Sequence, residues 1–296
     1  SIIYNYFIMK KSKVISSLLG SYTIIAATSA AIVTTSCSNN DIDKQFFNVQ
    51  GKDLDVTLCD TGSSIYSIKY KDTYITYHPK SKQDFLNPSY YYGKILGRVA
   101  GRISDGKMNV EGKDYQLEIN EKPQIKNNCL HGGTNGLSTK RFTHYIENKD
   151  NCYNVSFNYI SPANESGFPE LLDVWLTYTI YKDKSQIDIN ITGKTSGTTP
   201  VNLTTHPYFR LSNSGNVLDH QLTVPADKMA EFDDGGKQRV IGEKNVSATE
   251  NSEWNFQTAK AIGKDIQKAK ELYPAAGGYD HVWKFKPNED PTNKIH

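Results

Sequence analysis

Val174-Trp175-Leu176-Thr177-Tyr178-Thr179-Ile180 decides the fold class. Its large apolar side chains fall on every second position, with tryptophan and threonine between them, which is the period of a strand with one buried face. The same alternation stands on either side. Val155, Phe157 and Tyr159 enclose Ser156 and Asn158, and Ile187, Ile189 and Ile191 enclose Asp188 and Asn190. Between such runs lie turn clusters, among them Asp60-Thr61-Gly62-Ser63, Ser104-Asp105-Gly106-Lys107, Glu111-Gly112-Lys113, Asp183-Lys184-Ser185 and Thr195-Ser196-Gly197. Short strands with glycine-containing turns spell an all-β sandwich or barrel from about Phe46 onward. Only Ala259 to Leu272 carries a helical period, with Ile262, Ile266, Ala269 and Leu272 on one face and lysines on the other. No linker, composition shift or repeat follows residue 45, so residues 46–296 read as one β-domain.

The N-terminal stretch has a different chemistry. Lys10, Lys11 and Lys13 follow Met9, which is read as the true start, and precede a weakly apolar run from Val14 to Val33. This is the layout of an export signal, so residues 1–36 are set apart from the fold and 37–45 are read as a short tether. Thr34-Thr35-Ser36-Cys37 resembles a relaxed bacterial lipoprotein cleavage site. The expectation is a lipidated Cys37 and an exported protein held at a membrane, on the periplasmic or cell-surface side, by an acyl anchor. Threonines and serines make the run too polar to be a convincing span. Radiolabelled palmitate is expected to enter the protein and to be lost from a Cys37→Ala variant; equal labelling of both would overturn the anchor.

With 296 residues and a formal net charge of +2, lysines and acids interspersed, the chain has no footprint for nucleic acid. Cys59, Cys129 and Cys152 allow at most one disulfide and are read as buried or half-buried thiols. Cys129 lies two positions before His131, yet no CxxC or HxxxH spacing supports a metal, and no GxSxG elbow supports a serine hydrolase.

Three places carry candidate chemistry. His206, in Leu203-Thr204-Thr205-His206-Pro207-Tyr208-Phe209-Arg210-Leu211, is either a general acid or base or a core histidine bonded to backbone. Arg98 and Arg102 are four residues apart on a segment bounded by Gly97 and Gly101, and either guanidinium suits a hydroxyl-rich ligand or a salt bridge. His131 precedes Gly132-Gly133, a tight turn where backbone passes close to a ligand or to a neighbouring strand. Farther on, Asp280 in Gly277-Gly278-Tyr279-Asp280-His281 either accepts from sugar hydroxyls or caps a turn, and Trp283 is a stacking or a core aromatic.

In order, the chain shows GRVAGRI, DGKMNVEGKDYQLEIN, LHGG, SGFPE, VNLTTHPYFRL and GGYDHVW between residues 97 and 283. Six motifs in that register resemble the aldose 1-epimerase (galactose mutarotase) family, whose pattern runs GRxANRI, a Gly-rich hairpin, LHGG, a Gly-Phe/Tyr-Pro-Gly strand entry, NLTNHxYFNL and G-Phe/Tyr-DH. The resemblance implies a large antiparallel β-sandwich of the mutarotase supersandwich type that interconverts the α- and β-anomers of hexoses such as galactose and glucose without a cofactor or metal. By motif position, His206 is the general acid, His131 assists at the ring oxygen, Arg102, His131 and Asp280 bind substrate hydroxyls, and Arg98 is structural. The chain departs from the pattern at Gly101, Thr205 and Arg210, where the family has asparagine.

The family's base is a glutamate in a C-terminal Leu-Glu-Thr-Gln segment followed by Pro-Asp. No such segment precedes His296, and Glu289 does not match it. The expectation is a chain shortened at its C-terminus and lacking its last strands. The alternative reading is a lipoprotein that binds sugar without turning it over, or an inactive fragment. The oligomeric state is open.

Overall fold

The computed structural model describes residues 7–9, 15–16, 42–121, 126–212, 215–233 and 238–285. Cys37, most of the segment read as a signal, and Glu289 lie outside them. Among the described residues no helix is long and apolar enough to cross a membrane.

The alternating stretch forms the centre of the molecule. Leu172–Tyr181 pairs antiparallel with Cys152–Ser161 on one side and Ile187–Thr195 on the other, and Thr143–Asn148 extends the sheet past Cys152–Ser161. Val174, Leu176, Tyr178 and Ile180 are each fully buried, while Trp175 between them is more than one-third exposed. The period-2 reading is thus met residue by residue. A second antiparallel sheet is built from Phe46–Gln50, Leu54–Cys59, Ser64–Tyr70 and Thr73–Tyr74. Its Val49, Val56, Leu58, Ile65 and Ile68 close on Val155, Phe157 and the inward residues of the first sheet to make one core. Two sheets with their apolar faces together are a sandwich, and burial of these faces is the main force holding it. Tyr178 keeps its hydroxyl satisfied in that core by donating to the Ser63 carbonyl at 2.8 Å.

Two short N-terminal stretches also pair with this body, Phe7–Met9 with Thr199–Val201 and Ile15–Ser16 with Thr192 and Gly193. All three cysteines of the β-domain are free and buried, as the reading of them as thiols expected. Burial pushes the thiols of Cys59 and Cys129 up to about 12, so neither is a nucleophile.

One element differs from the periodic reading. The helix is Ile266–Leu272 only; Lys260–Ala261 is a strand and Ile262–Lys264 a 3₁₀ turn. Tertiary pairing takes over there, because Gln221–Leu222 claims Lys260–Ala261 as a partner and the Ile262 amide donates to the His220 carbonyl. Leu272, placed on the apolar face by its spacing, is 54% exposed, whereas Ala269 is fully buried.

Candidate functional site

Two backbone ladders bring His206 and His131 together. Thr204–Thr205 pairs with Ile95–Leu96, and the pairing continues through the His206 amide donating to Lys94 and the Gly93 amide donating to the His206 carbonyl. The imidazole of His206 is therefore fixed by main chain on both sides of its Cα. Asn128–Leu130 pairs with Arg102–Ser104, which sets His131 at the strand end opposite Gly101. The ring centroids of the two histidines stand 5.7 Å apart at 76°.

His131 sits at a positive φ of 53°, donates its amide to Gly101 O and accepts the Gly101 amide on Nδ1 at 3.0 Å. An Nδ1 that accepts a hydrogen bond carries no proton, so the neutral ring presents Nε2–H. Burial, with the neighbouring His206 and Arg102 charges, pushes its pKa down to about 3. The ring is a fixed neutral donor rather than a proton reservoir. The following Gly132 makes its turn at φ 92°, and a Cβ there would stand 1.8 Å from Gly97 O. The close approach that the Gly pair requires is therefore to a neighbouring stretch of this chain.

Burial lowers the pKa of His206 below its ordinary value, opposed in part by a hydrogen bond with its own backbone and then by the negative charge of Asp280. The ring is half-buried, beside Tyr91 (6.4 Å between centroids), Tyr208 (4.9 Å) and His131. Tyr91 in turn meets His131 edge-on at 4.8 Å.

The two arginines part company. Arg98 is 2% exposed and spends its guanidinium on the carbonyls of Ser161, Pro162, Pro169 and Glu170 and on the Ser161 and Thr199 hydroxyls. It is structural, as its motif position implied. Arg102 gives Nε and Nη2 to Glu121 at 2.9 Å, leaving the rest of its fork to other acceptors. Glu121 is held below the usual carboxylate range, against its own burial, by hydrogen bonds from Arg102 and Asn128 and by the Lys126 charge. Lys126 also donates to Gln238, and Gln238 donates to Asp280 Oδ2 at 2.8 Å. Asp280 is exposed, close enough for its charge to raise the pKa of His206, and held from beneath by Gln238.

Sequence reasoning missed Tyr91, Glu121 and Gln238. The run Tyr90-Tyr91-Tyr92 before Gly93 was a visible signal, since three consecutive aromatic residues cannot all face one core. Glu121 and Gln238 carried none, being distinguished only by contacts across the fold. Trp283 is a core aromatic: it donates Nε1–H to Trp254 O and packs in the cluster of Met229, Val246, Trp254 and Ala269.

His281, next to Asp280, has both ring nitrogens buried without a partner, among Phe232, Trp254, Tyr273 and Trp283. Burial pushes its pKa down to about 4. The unfolded chain binds this proton near pH 6.5 and the folded one does not, so its contribution to stability is full above 6.5 and is lost as pH falls from there toward 4. At about 1.4 kcal/mol per pH unit, roughly 2 kcal/mol of the stability lost between pH 7 and pH 5 belongs to His281. Urea unfolding of His281→Leu at both pH values is expected to show a pH penalty smaller by about that amount; an unchanged penalty would show that the folded ring takes up its proton freely.

The family model described as aldose 1-epimerase matches residues 47–296. The galactose mutarotase of Sus scrofa is 30% identical over 251 residues, which cover 82% of this chain and 68% of that protein. Among solved structures, the aldose epimerase homologue of C. elegans superposes with a TM-score of 0.65 at 26% identity, covering 74% of this chain and 67% of the other. The galactose 1-epimerase of Lactobacillus acidophilus superposes with a TM-score of 0.73, covering 88% of this chain and 74% of the other, a likeness of fold at 18% identity.

Proposed function

The chain belongs to the aldose 1-epimerase family, isomerases that interconvert sugar anomers, and on that premise we propose that its substrates are aldohexoses such as galactose and glucose, opened and reclosed at the paired histidines. Mutarotation needs a proton moved onto the ring oxygen and another taken from the anomeric hydroxyl, after which the open aldehyde recloses on its other face. His206 supplies the first proton in this reading, and solvent water takes the second from the anomeric hydroxyl. His131, with Nε2–H aimed outward by the Gly101 amide, steadies the developing charge on the ring oxygen. Arg102 and Asp280 take sugar hydroxyls, each braced by a partner, Glu121 and Gln238 respectively. The observation that carries the proposal is the meeting of His131 and His206, each just past the end of a strand in a separate ladder, at 5.7 Å between ring centroids.

A second reading, sugar binding without turnover, is favoured by one feature. Among the described residues no carboxylate hydrogen-bonds either imidazole, and Glu121 is committed to Arg102, Lys126 and Asn128. Polarimetry of freshly dissolved α-glucose and α-galactose separates the two. Relaxation faster than buffer supports the isomerase; binding with the buffer rate supports the sugar-binding protein.

A further inference from the structure

Arg102 and Asp280 stand on segments far apart in the chain, yet one run of largely buried side chains joins them. Arg102 gives its fork to Glu121, and Lys126 donates to the same Glu121 Oε1 at 3.2 Å. Lys126 also donates to Gln238 Oε1, and Gln238 Nε2 donates to Asp280 Oδ2 at 2.8 Å. Every link has an ionised partner, which makes it one of the stronger kind of hydrogen bond. The direction is settled as well. A lysine ammonium only donates, so the Gln238 oxygen faces Lys126 and its amino group is left for the Asp280 carboxylate. Gln238 itself is 4% exposed at a positive φ of 53°, a backbone that glutamine keeps only where its surroundings impose it. Here Arg239 imposes it, donating to Asn128 Oδ1, Asp105 Oδ1 and Lys126 O at 3.1, 2.8 and 3.1 Å. A buried amide is thus aimed at a residue that is exposed. An exposed carboxylate has water to solvate it and gains little stability from such a bond, so what the bond supplies is direction.

We propose that Gln238 and Lys126 are positioning residues that make Arg102 and Asp280 one rigid sugar-binding unit, Gln238 aiming the Asp280 carboxylate and Lys126 fixing the amide that aims it; this rests on the proposed reading of Asp280 as a ligand for sugar hydroxyls. With Oδ2 tied to Gln238, Oδ1 is the oxygen that meets the sugar. The guanidinium at the other end donates and the carboxylate accepts, and a hydroxyl can answer either. A neutral polyhydroxy ligand therefore satisfies both ends at once. Side chains ordered before the sugar arrives spare binding the entropy of ordering them.

The test is Gln238→Glu in the 296-residue chain, read by titration calorimetry with glucose, by polarimetry and by urea unfolding. This substitution keeps the size of the side chain and an oxygen for Lys126, and replaces only the donor to Asp280 with a second acceptor. The urea midpoint is therefore expected to stay with the parent's while the glucose Kd rises about tenfold, the factor for one hydrogen bond to a charged group. KM is expected to rise with it and kcat to hold, since neither histidine is touched. Asp280→Asn alone is expected to weaken binding by a similar factor. Adding Gln238→Glu to it should bring no further loss, because the amide then at position 280 can donate to the new carboxylate. Lys126→Met is expected to raise the Kd too, by freeing the amide to turn. A parent-like Kd in Gln238→Glu or in Lys126→Met would overturn the proposal, as would a loss in Gln238→Glu that multiplies in full with that of Asp280→Asn. So would a Kd rise matched by a collapse of the urea midpoint, which would assign Gln238 to folding alone. Glucose bound normally by Asp280→Asn removes Asp280 as a ligand and the positioning role with it, yet leaves the paired histidines standing if the sugar still relaxes faster than in buffer. A parent chain that neither binds nor relaxes glucose removes the proposed function itself.

Discussion

His206→Ala is expected to lower the mutarotation rate by about 10²–10⁴-fold, the range for removing a positioned acid or base. The substitution is clean because the main chain at this position does not depend on the side chain. The His206 amide still reaches Lys94 O and its carbonyl still accepts from Gly93, so the Thr204–Thr205 ladder stands. What is removed is the ring between Tyr91, Tyr208 and His131. Sugar binding through Arg102 and Asp280 should persist, so the loss falls on kcat with little change in KM. Polarimetry at several sugar concentrations reads both. A variant that relaxes sugar at the parent rate would place the acid elsewhere, with His131 poorly suited because its pKa is held near 3.

Arg98→Met is expected to cost stability on the scale of a broken buried charge network, about 3–5 kcal/mol. Methionine matches the length and removes the charge, which in a pair of side chains can be nearly neutral. Here the acceptors are mostly main-chain carbonyls of Ser161, Pro162, Pro169 and Glu170, which no companion substitution can delete. They would stay buried without a donor. Arg98→Lys should lose much of the same stability, since an ammonium cannot reproduce a fork that serves carbonyls on both sides. Urea unfolding measures both variants; a Met variant within 1 kcal/mol of the parent would show that water replaces the guanidinium.

How much was legible in the sequence follows from the range of the interaction involved. The buried face of Leu172–Tyr181 is written in a two-residue period, because successive side chains of a strand must point to opposite faces whatever the rest of the chain does. The order of motifs from Gly97 to Trp283 was enough to single out His206, His131, Arg102 and Asp280, and the fold brings the two histidines within ring contact. The helix read over 259–272 failed at its first half for the opposite reason: Lys260–Ala261 met a partner strand that its own periodicity does not record.

The sequence by itself determined that the chain is all-β, where the strands with alternating apolar side chains fall, and which ordered residues resemble a sugar isomerase's. Those properties are local or are carried by motif order. Only the tertiary structure decided that Arg98 serves buried carbonyls while Arg102 is shared with Glu121. It also decided that Gly101 sets the tautomer of His131, that His281 is sealed among aromatic rings, and that Tyr90 and Tyr92 leave the pocket while Tyr91 enters it. Each depends on atoms far apart in the chain, such as Arg98 and Thr199, and the side chains alone carry no record of which neighbour the fold will supply.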